Sequence, residues 1–139
     1  MTMATADLAL VTWTMVVWFW LFIRRIPAFQ AAKVDVEQNR RPSDINKHNL
    51  PDRVLWVGDN YAHLHEQPVL FYFLVLYSQA YGVADGLNVN LAWAYVIVRV
   101  IHSIWQNTVN AVVPRFLLFV IGSFILMAIL ARNILAAIA

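Results

Sequence analysis

Long apolar stretches without charge constrain this chain more than any other feature. From Leu8 to Ile23 no side chain is charged, and extending this run back to Ala4 gives the roughly 20 residues that a bilayer-spanning helix needs. Hydrophobic residues make up 61% of the 139-residue chain and charged residues 13%. A soluble domain of this size has too little polar surface to cover so much apolar side chain. The chain is therefore predicted to be a multi-pass integral membrane protein surrounded by the lipid bilayer.

The apolar pattern predicts four spanning helices in a single domain, residues 1–139. Between the second and third spans, Gly82, Asp85 and Gly86 are typical of a short turn. Short connections make consecutive helices antiparallel neighbours. The predicted fold class is an all-α membrane protein, an up-and-down bundle of four transmembrane helices. The predicted spans are residues 4–24, 66–83, 87–107 and 113–135, with one long connection at residues 25–62.

The distribution of basic residues predicts how the chain is oriented in the membrane. Seven of the ten Lys and Arg residues lie between residues 24 and 62. Because Lys and Arg concentrate on the cytoplasmic side, this connection is predicted to be cytoplasmic and both termini non-cytoplasmic. The net charge of +2 does not indicate nucleic acid binding, because these basic residues flank apolar spans and are explained by topology.

The chain contains no cysteine, which limits its sulfur and metal chemistry. Disulfides, thiolate metal sites and a protein thiol nucleophile are excluded, so any thiol chemistry needs the sulfur of a ligand. His63 and His65 are separated by one residue and would point in nearly opposite directions on a helix, so they would not bind one metal ion together. We expect no dedicated metal site.

A polar stripe is predicted on the third span. Four residues spaced i, i+3, i+4 and i+7 share one helix face: Arg99, His102, Ser103 and Gln106. Charged groups at membrane depth are costly unless they face a partner, a cavity or a polar ligand. The stripe is therefore predicted to face the bundle interior, either as a functional site or as polar contacts that hold helices together.

Two further polar groups are predicted at the same depth. Arg115 follows the turn after the third span and is either a site residue or a positive-inside flanking residue. If the second span begins early as a continuous helix, Asp59, His63 and Glu66 share one face. Glu66 is then a candidate counter-charge for Arg99, in a structural ion pair or to orient a ligand-binding arginine.

With these features in place, the chain resembles the MAPEG family, the membrane-associated proteins of eicosanoid and glutathione metabolism. The resemblance covers most of the chain. It rests on four spans, the long basic connection, the run from Arg99 to Ser103, and Arg115 at a family-like interval. Phe119 stands where the family usually has a tyrosine one turn after the critical arginine, and Gln106 replaces a tyrosine of the third span.

The start of the second span is similar to a family signature in which an Arg, an Asn and a Glu line the glutathione site. If Glu66 matches the family Glu, His63 stands at the Asn position and Asp59 at the Arg position. Alternatively, Arg53 and Asn60 fill these roles with changed spacing. Both alignments stay open at this point.

The resemblance implies a homotrimer, with glutathione between subunits near the cytoplasmic face and a lipophilic small-molecule co-substrate entering from the bilayer. It implies a glutathione-dependent transferase or peroxidase that acts on a lipophilic electrophile or hydroperoxide. Arg115 would be the catalytic residue, because a guanidinium near sulfur lowers the pKa of the thiol and favours the thiolate nucleophile. The residues implied to bind glutathione are Arg53, Asn60, His63, Glu66, Arg99, His102, Ser103 and Gln106.

Two alternatives belong to other functional classes. The first is a non-catalytic structural or accessory membrane subunit with the same fold, whose polar stripe locks the helices together. The second is a haem-binding electron carrier, in which His63 or His65 pairs with His102 across two helices to ligate the iron.

Overall fold

The computed structural model describes residues 1–35, 37 and 50–138, and this part of the chain is a bundle of five helices. The helices are α1 (Met3–Ala31), α2 (Asp52–His63), α3 (Gln67–Ala80), α4 (Gly86–Thr108) and α5 (Val112–Ile138). Much of the basic connection used to predict orientation, including Arg40, Arg41 and Lys47, lies outside the described residues. The all-α membrane-bundle prediction is confirmed.

Local sequence explains where several helices begin. Thr2 caps α1 through a reciprocal pair of hydrogen bonds with Thr5, in which each backbone N–H is bound by the other side chain. The carboxylate of Asp85 accepts a hydrogen bond of 2.9 Å from the backbone N–H of Asn88 and caps α4. Side chains therefore bind backbone N–H groups that the first turns of these helices leave without a helical partner.

Helix α3 lies within the predicted second span of residues 66–83, and the alternative of an early start, as one continuous helix through Asp59, His63 and Glu66, does not hold. Helix α2 ends at His63, and α3 begins at Gln67. Pro68 lies in the first turn of α3, where its missing N–H has no cost. In a continuous helix, the same proline would lose a hydrogen bond and clash with the carbonyl of Leu64. The chain therefore turns before it.

Helix α4 lies at the centre of the bundle and packs against α1, α2 and α5, while α3 packs against α1 and α5. A main core is built around Phe71 and Tyr95, whose stacked rings have centroids 4.6 Å apart and which are fully buried. Leu10 and Ile129 complete this core from α1 and α5. The four longest segments of the fold are thus joined by one apolar cluster.

Three of the described helices, α1, α4 and α5, are long and apolar enough to cross a membrane. Helix α3 has only 14 residues. Helix α1 extends seven residues past the predicted end of the first span at residue 24, and Asp52–His63 is helical within the predicted connection. Because helix ends do not mark the membrane surface, the four predicted crossings and their boundaries stay predictions.

At one end of the bundle, α5 is fastened to its neighbours by polar side chains; we call this the Arg132 end. Arg132 forms an ion pair with Asp85, and its Nε donates to Asn88 Oδ1 at 2.8 Å. The next residue, Asn133, accepts a hydrogen bond of 2.9 Å from Ser78 Oγ. Arg132 and Asn133 therefore join α5 to the start of α4 and to α3.

Candidate functional site

A cavity of about 380 Å³ opens at the opposite end of the bundle, which we call the Arg115 end. Its volume lies in the range of roughly 300–1,000 Å³ that is usual for small-molecule sites. A second cavity of about 220 Å³ shares His63 and Arg115 with it. The larger cavity is lined by Asp59, Ala62, His63, Glu66, Gln106 and Arg115, and the smaller one adds His102, Val112, Phe116 and Phe119. Although the chain turns between α2 and α3, Asp59, His63 and Glu66 therefore line the same cavity.

Glu66 binds His63 and not Arg99. Its Oε2 lies 2.6 Å from His63 Nδ1, and the helix break between them allows this close contact. Among the described residues, Glu66 makes its direct contact with His63, so its charge acts on Arg99 only through a longer-range Coulombic attraction and not through the ion pair that the prediction allowed. Glu66 is largely exposed, with 66% of its side chain accessible, whereas 25% of the His63 side chain is accessible.

Arg99 is buried, as predicted for the polar stripe, with 1% of its surface exposed. Its Nη2 donates to the backbone carbonyl of His63 at 2.9 Å. This carbonyl is at the C-terminal end of α2, where a positive charge is favourable. Two other nitrogens of Arg99, Nε and Nη1, have no hydrogen-bond partner among the described residues. Arg99 therefore fixes the end of α2 and does not line either cavity.

Two more residues of the predicted site join helices instead of lining a cavity. Asn60 Nδ2 donates to Ser103 Oγ at 2.6 Å, and both residues are fully buried. This bond ties α2 to α4 at the level of the cavities. His102 and Gln106, by contrast, reach the cavities, and the buried Gln106 Oε1 has no hydrogen-bond partner within the described part of the chain. The stripe thus has both a structural part and a cavity-lining part.

Arg115 is positioned by the turn between α4 and α5. Its Nη1 donates to Asn110 Oδ1 at 2.6 Å. Asn110 has a positive φ of 53°, a conformation that Asn adopts more readily than most residues. The backbone N–H of Asn110 donates to Trp105 O at 2.8 Å, which fixes the turn to α4. Sequence reasoning missed Asn110, although an Asn in a short interhelical turn was a usable signal.

Arg53 and His65 lie outside both cavities. Arg53 is exposed in the first turn of α2, and His65 is exposed with its Nδ1 2.8 Å from the Tyr61 carbonyl oxygen. The structure does not bring Arg53 together with the other predicted glutathione ligands, and its role stays a prediction.

Metal chemistry has little support in the described residues, where no group of three His, Asp or Glu side chains is placed to hold a metal ion. The rings of His63 and His102 have centroids 5.3 Å apart at an interplanar angle of 38°. They pack against each other and do not stand on opposite sides of a gap that could hold a porphyrin. The geometry of these two rings therefore does not support the haem hypothesis.

The fold and the cavity define a small multi-pass membrane protein with a polar, ionisable site at one end of a helical bundle. The chain belongs to the MAPEG family, whose family model matches residues 3–135. This places it among the membrane proteins of eicosanoid and glutathione metabolism. No curated protein and no solved structure matches the chain.

Proposed function

We propose that this protein is a glutathione-dependent transferase or peroxidase acting on a lipophilic electrophile or hydroperoxide. The observation that carries the proposal is the gathering of Arg115, His63, Glu66 and Gln106 around one cavity, in a chain of a glutathione-related membrane family. Family members generally use glutathione. The chain itself lacks a thiol, so the nucleophilic sulfur comes from the co-substrate.

The chemistry of the cavity fits glutathione, which carries two carboxylates, an ammonium group, amides and a thiol. Arg115 offers guanidinium N–H groups to a carboxylate or a thiolate. Asp59 and Glu66 offer carboxylates to the ammonium group. The unpaired, buried Gln106 Oε1 offers an acceptor to an amide N–H, which would remove the cost of leaving that oxygen unbound.

In this proposal Arg115 is the catalytic residue. A guanidinium beside the sulfur stabilises the thiolate and lowers the pKa of the glutathione thiol. His63, Glu66 and Gln106 contact the bound peptide. Arg99, Asn60 and Ser103 act indirectly, because their hydrogen bonds hold α2 against α4 and so fix the cavity wall.

The proposed orientation comes from the basic residues between positions 24 and 62: the Arg115 end is the cytoplasmic end, and both termini lie on the other side of the membrane. The proposed assembly comes from the family resemblance: three copies of the chain assemble, and glutathione lies between neighbouring subunits. The exposed apolar side chains at the smaller cavity, such as Phe116 at 62% exposure, would give a lipophilic co-substrate a route from the bilayer.

Glutathione binding tests the proposal directly. We expect calorimetric titration of the purified protein in lipid nanodiscs to show saturable binding at or below cellular millimolar concentration. Gln106→Leu should raise the Kd about 2–10-fold, because it removes one hydrogen-bond acceptor. Gln79→Leu is the matched control, since Gln79 is exposed near the Arg132 end. An absence of saturable binding by the wild type would reject the proposal.

The turn residue Asn110 offers a second test. Asn110→Gly tolerates the positive φ but removes the acceptor that holds Arg115, so we expect kcat/KM to fall about 10-fold with little loss of stability. Asn110→Ala should show the same loss of activity and also unfold more easily, by about 1 kcal/mol, because alanine lacks the polar side chain that helps asparagine to adopt this φ. Activity and thermal unfolding are measured together. Unchanged activity of Asn110→Gly would show that this hydrogen bond does not position Arg115.

A structural or accessory subunit is the second candidate function. The observation that favours it is that Arg99, Asn60 and Ser103 are used in contacts between helices. In this case the polar stripe would only hold the helices together. Substitutions of cavity residues would then alter assembly or have no measurable effect.

A further inference from the structure

We propose that His63 is the base that removes the thiol proton of glutathione, and that Glu66 is the residue that positions it. This inference rests on the proposed function and names a catalytic residue for it beyond Arg115. It is drawn from three observations on His63: its pairing with Glu66, its place in the wall of both cavities, and the hydrogen bond that fixes its backbone at the end of α2.

The first step is the pairing of the two side chains. Glu66 Oε2 lies 2.6 Å from His63 Nδ1. Because an ionised carboxylate only accepts hydrogen bonds, Nδ1 carries the proton of the neutral ring, and the lone pair is on Nε2. Nε2 has no hydrogen-bond partner in residues 1–35, 37 and 50–138. Proteins activate weak nucleophiles by an arrangement in which a carboxylate orients an imidazole and the imidazole takes the proton of the nucleophile.

The second step is the position of the ring. His63 lines both cavities together with Arg115, so one space is bordered by the base and by the group that would stabilise the thiolate. The ring is packed between His102, with centroids 5.3 Å apart, and Phe119, with centroids 5.6 Å apart. These contacts from α4 and α5 restrict rotation of the imidazole, which lines both cavities.

The third step is the support of the backbone. Arg99, which is buried, donates to the carbonyl of His63 at 2.9 Å and fixes the residue at the end of α2. The charged and titratable groups around His63 from the packed elements are Asp59, Glu66, Arg99, His102 and Arg115.

The proposed step balances without a further reagent. His63 Nε2 takes the proton of the S–H bond, and the electron pair of that bond stays on sulfur beside Arg115. With a lipophilic enal as co-substrate, the sulfur forms a bond to the β-carbon, and the C=C pair moves to give an enolate. The imidazolium then returns the proton to the α-carbon. The net change is addition of S–H across the double bond, so nothing is oxidised or reduced.

The test compares wild type, His63→Gln and Glu66→Gln in lipid nanodiscs, with glutathione and a lipophilic enal as the probes. We expect His63→Gln to lower kcat about 100-fold, as for loss of a general base, and to change the glutathione Kd much less. Added imidazole should restore part of the lost rate, because it can occupy the space left by the ring and accept the proton. Glu66→Gln keeps an acceptor for the Nδ1–H group of His63 but loses the negative charge, and we expect it to lower kcat about 10-fold.

His65→Gln is the matched control, because His65 is two residues away, exposed and outside both cavities. It should retain wild-type activity. If the wild type binds glutathione and converts the enal but His63→Gln keeps the rate, or loses it without rescue by imidazole, the base assignment is overturned while the proposed function stands. If the wild type shows no saturable glutathione binding, the proposed function and this inference are both overturned.

Discussion

We expect Arg115→Ala to lower kcat/KM for glutathione-dependent conversion of a lipophilic electrophile about 10³-fold while the bundle stays folded. The substitution removes the positive charge that would stabilise the thiolate in the cavity, and removal of one preorganised donor at a reacting anion already costs about 10²–10³-fold. Arg115 is only partly buried, and its one described side-chain hydrogen bond is to Asn110 in a turn. Its loss should therefore leave the core contacts intact.

Two further variants make this experiment decisive. Arg115→Lys keeps the charge but loses the planar fork of donors, so we expect an intermediate loss of about 10-fold. Arg132→Ala removes an arginine from the opposite end, where it binds Asp85 and Asn88, and should affect stability without a specific effect on catalysis. Activity is measured beside native mass spectrometry of the assembly. Disrupted assembly of Arg115→Ala, or full activity, would favour the structural subunit over the enzyme.

The largest expected loss of stability follows from Phe71→Ala. Phe71 is fully buried and stacks on Tyr95 with ring centroids 4.6 Å apart. Removing a buried phenylalanine ring leaves a cavity and costs about 3–5 kcal/mol in protein cores. We expect a free energy of unfolding lower by about this amount, measured in detergent micelles or nanodiscs by a reversible unfolding assay.

Phe73→Ala is the matched control for this prediction. Phe73 is two residues away on the same helix and is 66% exposed. Its ring lies on the surface of the bundle, so its loss should change the free energy of unfolding by less than about 0.5 kcal/mol. Equal effects of the two substitutions would contradict the burial of Phe71 against Tyr95.

The features that sequence predicted well follow from strong and general constraints. Apolar length indicated the membrane bundle, and helical spacing placed Arg99, His102, Ser103 and Gln106 on one buried face. An ionised group within an apolar helix has few allowed environments, so its inward direction could be predicted without knowing its partner. The grouping of Arg115 with this face followed from the short turn between α4 and α5.

The partners of these groups could not be read from the sequence. Arg99 binds a backbone carbonyl, and any residue can supply a carbonyl, so no sequence signal distinguishes His63 from its neighbours. A proline at position 68 is compatible with a helix that begins just before it or with a longer helix that kinks there, and only packing decides between the two. The break between α2 and α3 turned Glu66 toward His63 and left the predicted Glu66–Arg99 pair unformed.

The adjacent residues Arg132 and Asn133 fasten α5 to two neighbouring helices within a single turn. Arg132 holds the start of α4 through an ion pair with Asp85 and a hydrogen bond to Asn88, and Asn133 accepts a hydrogen bond from Ser78 of α3. Because these bonds lie close together along α5, sliding this helix along its axis would break all of them at once. The axial register of α5 against both neighbours is thereby fixed at the Arg132 end.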